Sequence, residues 1–214
     1  MFNWLKYYNT LHFRPEHTNN TKLMNDFKQT LLYKKIIDLT DIKASSLEKL
    51  FDAITIKQIK KHENILDQGI ICRNIFFVEK GYLRVFTNKD GKEINTDFVF
   101  ENNFTTNLKS LRLAIPSDTT IQAGELSTIY EFDKNILLSL YKESPEIESF
   151  GRKLLEQLLI AQEEHIHLFK IFKPEERYRY LQTNNPEILQ RVSLSQISSY
   201  LGVARETLSR IRKK

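Results

Sequence analysis

Between Pro145 and Phe172 the apolar positions Ile147, Phe150, Leu154, Leu158, Ala161, His165, Leu168 and Phe172 recur every three or four residues. That is the period of one helical face. Ser144 supplies an N-cap and Pro145 takes the first helical position, where its missing N–H costs nothing. A helix of about 28 residues is ~42 Å long. A small β domain cannot cover a stripe of that length, so the stripe predicts a partner, and a second copy of the chain is the simplest one. Phe150, Leu154, Leu158, Ala161 and His165 are the expected dimerisation residues. Packing within one chain is the alternative.

Upstream, from about Ile54 to Phe132, the period changes to two. The segments 54–57, 75–78, 82–86 and 95–100 are β-branched and aromatic, and 67–69, 79–81 and 88–91 read as turns. Asp90-Gly91 offers the positive φ of a tight hairpin. Short, evenly spaced strands predict a barrel or sandwich. A short helix including Ser45–Phe51 precedes them. Residues 1–23 are aromatic, then polar, and read as an N-terminal extension, with Met24 a second candidate start. The expected division is 1–23 extension, 24–143 β-roll domain, 144–172 dimerisation helix and 173–214 helix-turn-helix domain.

The last segment is the most specific. Ser193 and Gln196 have capping-box spacing. Ile197 and Leu201 share a face, and Gly202 ends that helix where a left-handed residue is needed. Val203 fills the corner, while Leu208 and Ile211 face back from a second helix. The outward face is left to Arg205, Glu206, Ser209 and Arg210. Arginine reads guanine O6 and N7, glutamate accepts from cytosine N4, and serine is permissive. These four are the expected DNA base contacts.

Charge supports this reading. From Lys170 to Lys214 there are ten Lys/Arg and four Glu, a net +6. The remainder has 22 basic and 23 acidic residues. All excess positive charge therefore sits in the C-terminal fifth, as in a nucleic-acid-binding module. Other chemistry finds little support. The one cysteine, Cys72, excludes an internal disulfide and a thiolate metal cluster. His165 and His167, two apart, diverge around a helix, and Glu164-x-x-His167 occurs once where a di-iron bundle needs further ligand-bearing helices. No phosphate loop, nucleophile elbow or zinc motif is present, so no catalytic residues, metal or cofactor are expected. No apolar run suits a membrane span or a signal peptide, which makes a cytoplasmic location the expectation.

The stretch Gly202-Val203-Ala204-Arg205-Glu206-Thr207-Leu208-Ser209-Arg210 resembles the recognition-helix signature of the Crp/Fnr regulators. The resemblance extends over about residues 50–214, taking in Gly69, Gly81 and the long helix. It implies an α+β chain: an antiparallel, jelly-roll-like β-roll sensor of cyclic-nucleotide-binding type, a long dimerisation helix, and a C-terminal helix-turn-helix of winged-helix type. It further implies a palindromic double-stranded DNA site with a TGA-like half-site core, and phosphate contacts near Ser193 and Ser195. The chain stops at Lys214, so the wing after the recognition helix is expected to be missing, with Arg212 and Lys213 supplying phosphate contacts. The cyclic-nucleotide cassette should read Gly-Glu and then Arg with Ser, Thr or Ala. Residues 101–112 contain neither, and Gly124-Glu125 comes too late. The expected function is a dimeric, sequence-specific transcription regulator, with RNA polymerase a further candidate partner and the effector left open, cyclic AMP disfavoured. A small-molecule-binding β-roll without DNA activity is the alternative.

Overall fold

The computed structural model describes residues 20–213. The expected extension 1–23 lies outside them except for its last four residues, which open α1 (Asn20–Phe27). Helices α2 (Leu31–Leu39) and α3 (Ala44–Asp52) follow. Eight strands come next: β1 (Ile54–Ile59), β2 (Asn64–Leu66), β3 (Asn74–Lys80), β4 (Leu83–Lys89), β5 (Lys92–Val99), β6 (Phe104–Thr105), β7 (Thr120–Ala123) and β8 (Ser127–Asp133). The short helix α4 (Leu108–Leu113) sits between β6 and β7. The strands form two four-stranded antiparallel sheets, ordered β1-β8-β3-β6 and β2-β7-β4-β5. This is the jelly-roll-like architecture that the family resemblance implied, and it agrees with the barrel or sandwich that the strand spacing predicted.

Successive side chains on a strand point to opposite faces, and here both faces carry buried apolar side chains. Phe76 and Val78 of β3, Leu83 of β4, Val99 of β5 and Ile129 of β8 point into the roll and close its core. The alternate residues Phe77, Tyr130 and Phe132 point out of the first sheet. They meet Leu32, Ile36, Leu47, Leu50, Leu137 and Leu140 from the flanking helices, α5 (Lys134–Glu143) among them. On the second sheet Phe98 alternates with Val99 and joins Tyr82 and Phe100 outside the roll.

The long helix α6 runs Pro145–Ile171, and the Ser144 hydroxyl accepts from the Ile147 N–H at 3.3 Å. Its apolar stripe faces its own chain. Ile147, Phe150 and Leu154 lie in the first outer core with α2, α3 and α5, and Leu158 packs at the edge of that core. Phe150 is 2% and Leu154 5% exposed, so the structure turns these two expected dimerisation residues inward. Ala161 is exposed, and His165 packs against Phe169 and Tyr200. The reason is cover. The N-terminal helices blanket the first half of the stripe, and the C-terminal helices blanket the second. What α6 leaves to solvent is another face. Leu155, Leu159 and Ile166 are 46, 71 and 50% exposed, and with Gln162 they form a line at steps of four, three and four. At 100° per residue that line lies roughly 110° around the helix from the buried stripe.

Candidate nucleic-acid interface

Four helices complete the chain: α7 (Pro174–Asn184), α8 (Pro186–Arg191), α9 (Leu194–Leu201) and α10 (Arg205–Ile211). Ser193 caps α9: its hydroxyl accepts from the Gln196 N–H at 3.3 Å and donates to Gln196 Oε1 at 3.0 Å. The glutamine thus binds the serine side chain rather than its backbone. Gly202 ends α9 at φ +69°, a left-handed conformation that costs an L-residue strain. The Val203 N–H then returns to the Ser198 carbonyl at 3.0 Å, which fixes the corner between α9 and α10. Leu201 and Leu208 are fully buried, with Ile197, Val203 and Ile211 packed around them.

Burying Leu208 decides which side of α10 faces outward. Arg205, Glu206 and Arg210 are exposed and Ser209 is half-buried. At 100° per residue, 205, 206, 209 and 210 span about 140° of the helix surface. Ser193 and Ser195, at the start of α9, are exposed, as are Arg212 and Lys213 after α10. The structure therefore collects all eight of these sequence-derived residues on the two helices and their caps. It leaves the expected dimerisation set apart on α6.

Two arginines that sequence reasoning missed hold this unit in place. Arg177 on α7 donates from Nε to the Phe172 carbonyl at 2.8 Å, from Nη2 to that of Phe169 at 2.8 Å, and from Nη1 to that of Leu201 at 3.1 Å. One side chain thus binds the end of α6 to the end of α9. Arg191, at the end of α8, grips Glu101 through both carboxylate oxygens at 2.8 and 2.9 Å and reaches Glu125 at 2.6 Å. Its guanidinium also lies over the rings of Phe100 and Tyr82. Burial, the largest single influence, raises the Glu101 carboxyl, but the Arg191 hydrogen bonds, the Glu101 and Gly81 N–H groups and the Arg191 charge together hold the group below its ordinary value. Gly124-Glu125, which looked like a stray cassette fragment, is part of this seat: Tyr82 packs where a side chain at Gly124 would lie, and Glu125 binds Arg191.

The seat is largely aromatic. Phe98 meets the Tyr200 ring edge-on at 5.4 Å, and Tyr82 stacks on Phe100 at 5.1 Å. Ser199 of α9 donates to the Glu93 carbonyl at 3.1 Å and accepts from the Asn95 N–H at 3.0 Å. The α9–α10 unit thus completes its core with side chains of the second sheet. In the β6–β7 connection, Asn107 caps α4, its amide binds the Asp118 carboxylate at 2.7 Å, and Arg112 is exposed. No glycine occurs between Phe104 and Thr120.

Residues 56–144 match the cyclic nucleotide-binding domain family. Among solved structures, the c-di-GMP-responsive global regulator CLP of Xanthomonas campestris is 16% identical. The match covers 80% of this chain and 90% of that one, with a TM-score of 0.60. A transcriptional-regulator structure of the Crp/Fnr family from Eubacterium rectale is 18% identical over 81% of this chain and 83% of that one, with a TM-score of 0.63. The chain has the Crp/Fnr fold. FixK2 of Bradyrhizobium japonicum shares that fold at 19% identity, covering 75% of this chain and 83% of that one, with a TM-score of 0.59. No curated protein matches the sequence. In this chain the Arg191 seat joins the last helices to the second sheet.

Replacing Arg191 with methionine keeps the stem and removes the charge. Glu101, held low in the native state, stabilises above the ordinary carboxylate value of 4.5, and that contribution is lost as pH falls through its lower native value. Arg191→Met should lower the urea midpoint at pH 7, and the wild-type and variant curves should approach each other as pH falls below 4.5. A constant difference across that range would show that the pair does not contribute through charge.

Proposed function

We propose that the chain is a dimeric, sequence-specific DNA-binding transcription regulator. The observation that carries this is the outward arc of α10. Arg205, Glu206 and Arg210 are exposed together, Ser209 lies between them, and Leu208 anchors the opposite side. Arg210 is suited to grip a guanine by its major-groove edge, and Glu206 to accept from a cytosine N4. Ser193, Ser195, Arg212 and Lys213 flank the arc and suit phosphate oxygens, which position a reader without specifying sequence. The fold's likeness to Crp/Fnr regulators supports the reading at the level of architecture.

The dimer in this proposal forms through the solvent face of α6, with Leu155, Leu159 and Ile166 at coiled-coil spacing. Two-fold symmetry then calls for a palindrome with half-sites about one helical turn, ~34 Å, or a multiple of it apart. A TGA-like half-site core fits the helix signature. The β-roll of this proposal does not take cyclic AMP. A phosphate cradle wants a glycine-permitted nest of N–H groups and an arginine. The β6–β7 connection has no glycine, its turn carries Asp118, and Asn107 already occupies the N-terminus of α4.

Selection of bound sequences from a random DNA pool tests the reader. Wild type should return a palindrome. Arg210→Ala should cost about 1–3 kcal/mol per half-site and relax one guanine. Lys213→Ala should weaken all sequences alike and flatten the salt slope by about one unit. Selection without a palindrome, or an unchanged motif for Arg210→Ala, overturns the assignment. Sedimentation tests the dimer: Leu159→Glu should give a folded monomer, because it places a charge only at the seam. Leu154→Glu should instead unfold the chain, because it places a charge in the core. A Leu159→Glu protein that stays fully dimeric rejects this face. Calorimetry with cyclic AMP and cyclic GMP should show no heat of binding, and clear micromolar affinity would refute the reading of the β6–β7 connection.

A further inference from the structure

Three parts of the molecule meet at three polar side chains. Asp97 comes from β5, His165 from α6 and Tyr200 from α9. The imidazole lies 5.7 Å from the Tyr200 ring and 4.7 Å from that of Phe169, and Phe169 meets Tyr200 edge-on at 5.6 Å. Phe98, next to Asp97, closes the other side of Tyr200. His165 Nε2 is buried and has no hydrogen-bond partner. Asp97 spends one oxygen on the Phe98 N–H at 2.8 Å. An aromatic seam with a carboxylate, an orphaned imidazole nitrogen and a phenol is an expensive place for charge.

We propose that Asp97, His165 and Tyr200 form a pH-sensitive joint: proton uptake by His165 loosens the seat of the helix-turn-helix on the β-roll. The proposal concerns the seat and holds whatever the reader binds.

The charged groups around the joint decide the sign. Burial lowers the His165 imidazole from its ordinary 6.5, and the Asp97 carboxylate opposes that. Burial raises Asp97 from its ordinary 3.8, opposed by His165 and by the Phe98 N–H. Burial also raises the Tyr200 phenol, with Asp97 and Tyr180 of α7 adding to the effect, so it is a neutral phenol at physiological pH. Arg177, the cation from α7, lies over Phe169 rather than His165. Glu164 and His167 on α6 itself are exposed. A seated imidazole that binds protons less readily than a free one stabilises the seat fully above the ordinary 6.5. That stabilisation is lost as pH falls toward the lower seated value. Asp97 acts in the opposite sense, because its seated form binds protons more readily.

The Asn95 N–H reports the seat directly, since it donates to Ser199 across the joint. Hydrogen exchange of the full chain, followed by NMR from pH 8 to 5.5 and expressed as protection factors, measures its opening. Protection at Asn95 should hold above about pH 6.5 and fall with acidification below it, by no more than about tenfold per unit, the limit for one proton. Protection at Phe77, in the core beneath α2 and α3, should stay constant and so exclude global unfolding. His165→Phe keeps a ring in the seam and should give a flat profile. Asp97→Asn should keep the fall, because the proton is taken up by His165. A flat or rising wild-type profile overturns the proposal, as does a fall that persists in His165→Phe. Should His165→Phe fail to fold, His165→Asn serves the same comparison.

Discussion

One end of the second sheet has no face that water can keep. Its inner side chains close the roll, and its outer side carries Tyr82, Phe98 and Phe100. Three such rings bury about 150–250 Å² each, on the order of 10 kcal/mol before the entropy of ordering is subtracted. The helix-turn-helix, for its part, is too small to enclose a full core with Ile197, Leu201 and Leu208 alone. Each half lacks what the other has. The α9–α10 unit is therefore joined to the β-roll by a shared core, and its position relative to the roll is set by packing rather than by a linker.

Charge refines that seat without creating it. Arg191 suits its rim because a guanidinium can grip Glu101 through two oxygens and still lie flat on Phe100. A lysine would supply the charge but neither the fork nor the plane. Arg177 does a different task with the same chemistry. It satisfies carbonyls at the ends of α6 and α9, which those helices cannot satisfy themselves. The rim is solvated, so its ion pairs fit the contact more than they strengthen it. The seam around His165 is half-buried, but its Nε2 is shielded and unpaired, and such an atom has a real energetic consequence.

Sequence showed local features well and tertiary partners poorly. The helix of α6, its Ser144 cap, the Asp90-Gly91 hairpin and the α9–Gly202–α10 corner all depend on residues a few positions apart, and all could be read. Strand β8 was not singled out because Tyr130 and Phe132 face one core while Ile129 faces another, so it lacks a polar alternation. The stripe on α6 is legible in the sequence, but its direction is not. Periodicity locates an apolar face and does not say whether the cover comes from the same chain. Here α2 and α3, more than ninety residues upstream, supply it. Arg177, Arg191 and the neighbour of Gly124 were illegible for the same reason: nothing local distinguishes them from solvated residues.

Gly151 shows how tightly that cover is built. Glycine inside a helix costs roughly 1 kcal/mol against alanine, and this one lies near the start of the longest helix in the described residues. A methyl group there would overlap the Tyr141 hydroxyl of α5. The glycine therefore admits α5 against α6, and α5 in turn brings Leu137 and Leu140 into the first outer core. With its beginning held this closely and its end bound through Arg177, α6 has one side committed to the β-roll and the helix-turn-helix. The line of Leu155, Leu159 and Ile166 lies away from both, so a contact made there leaves the two buried cores intact.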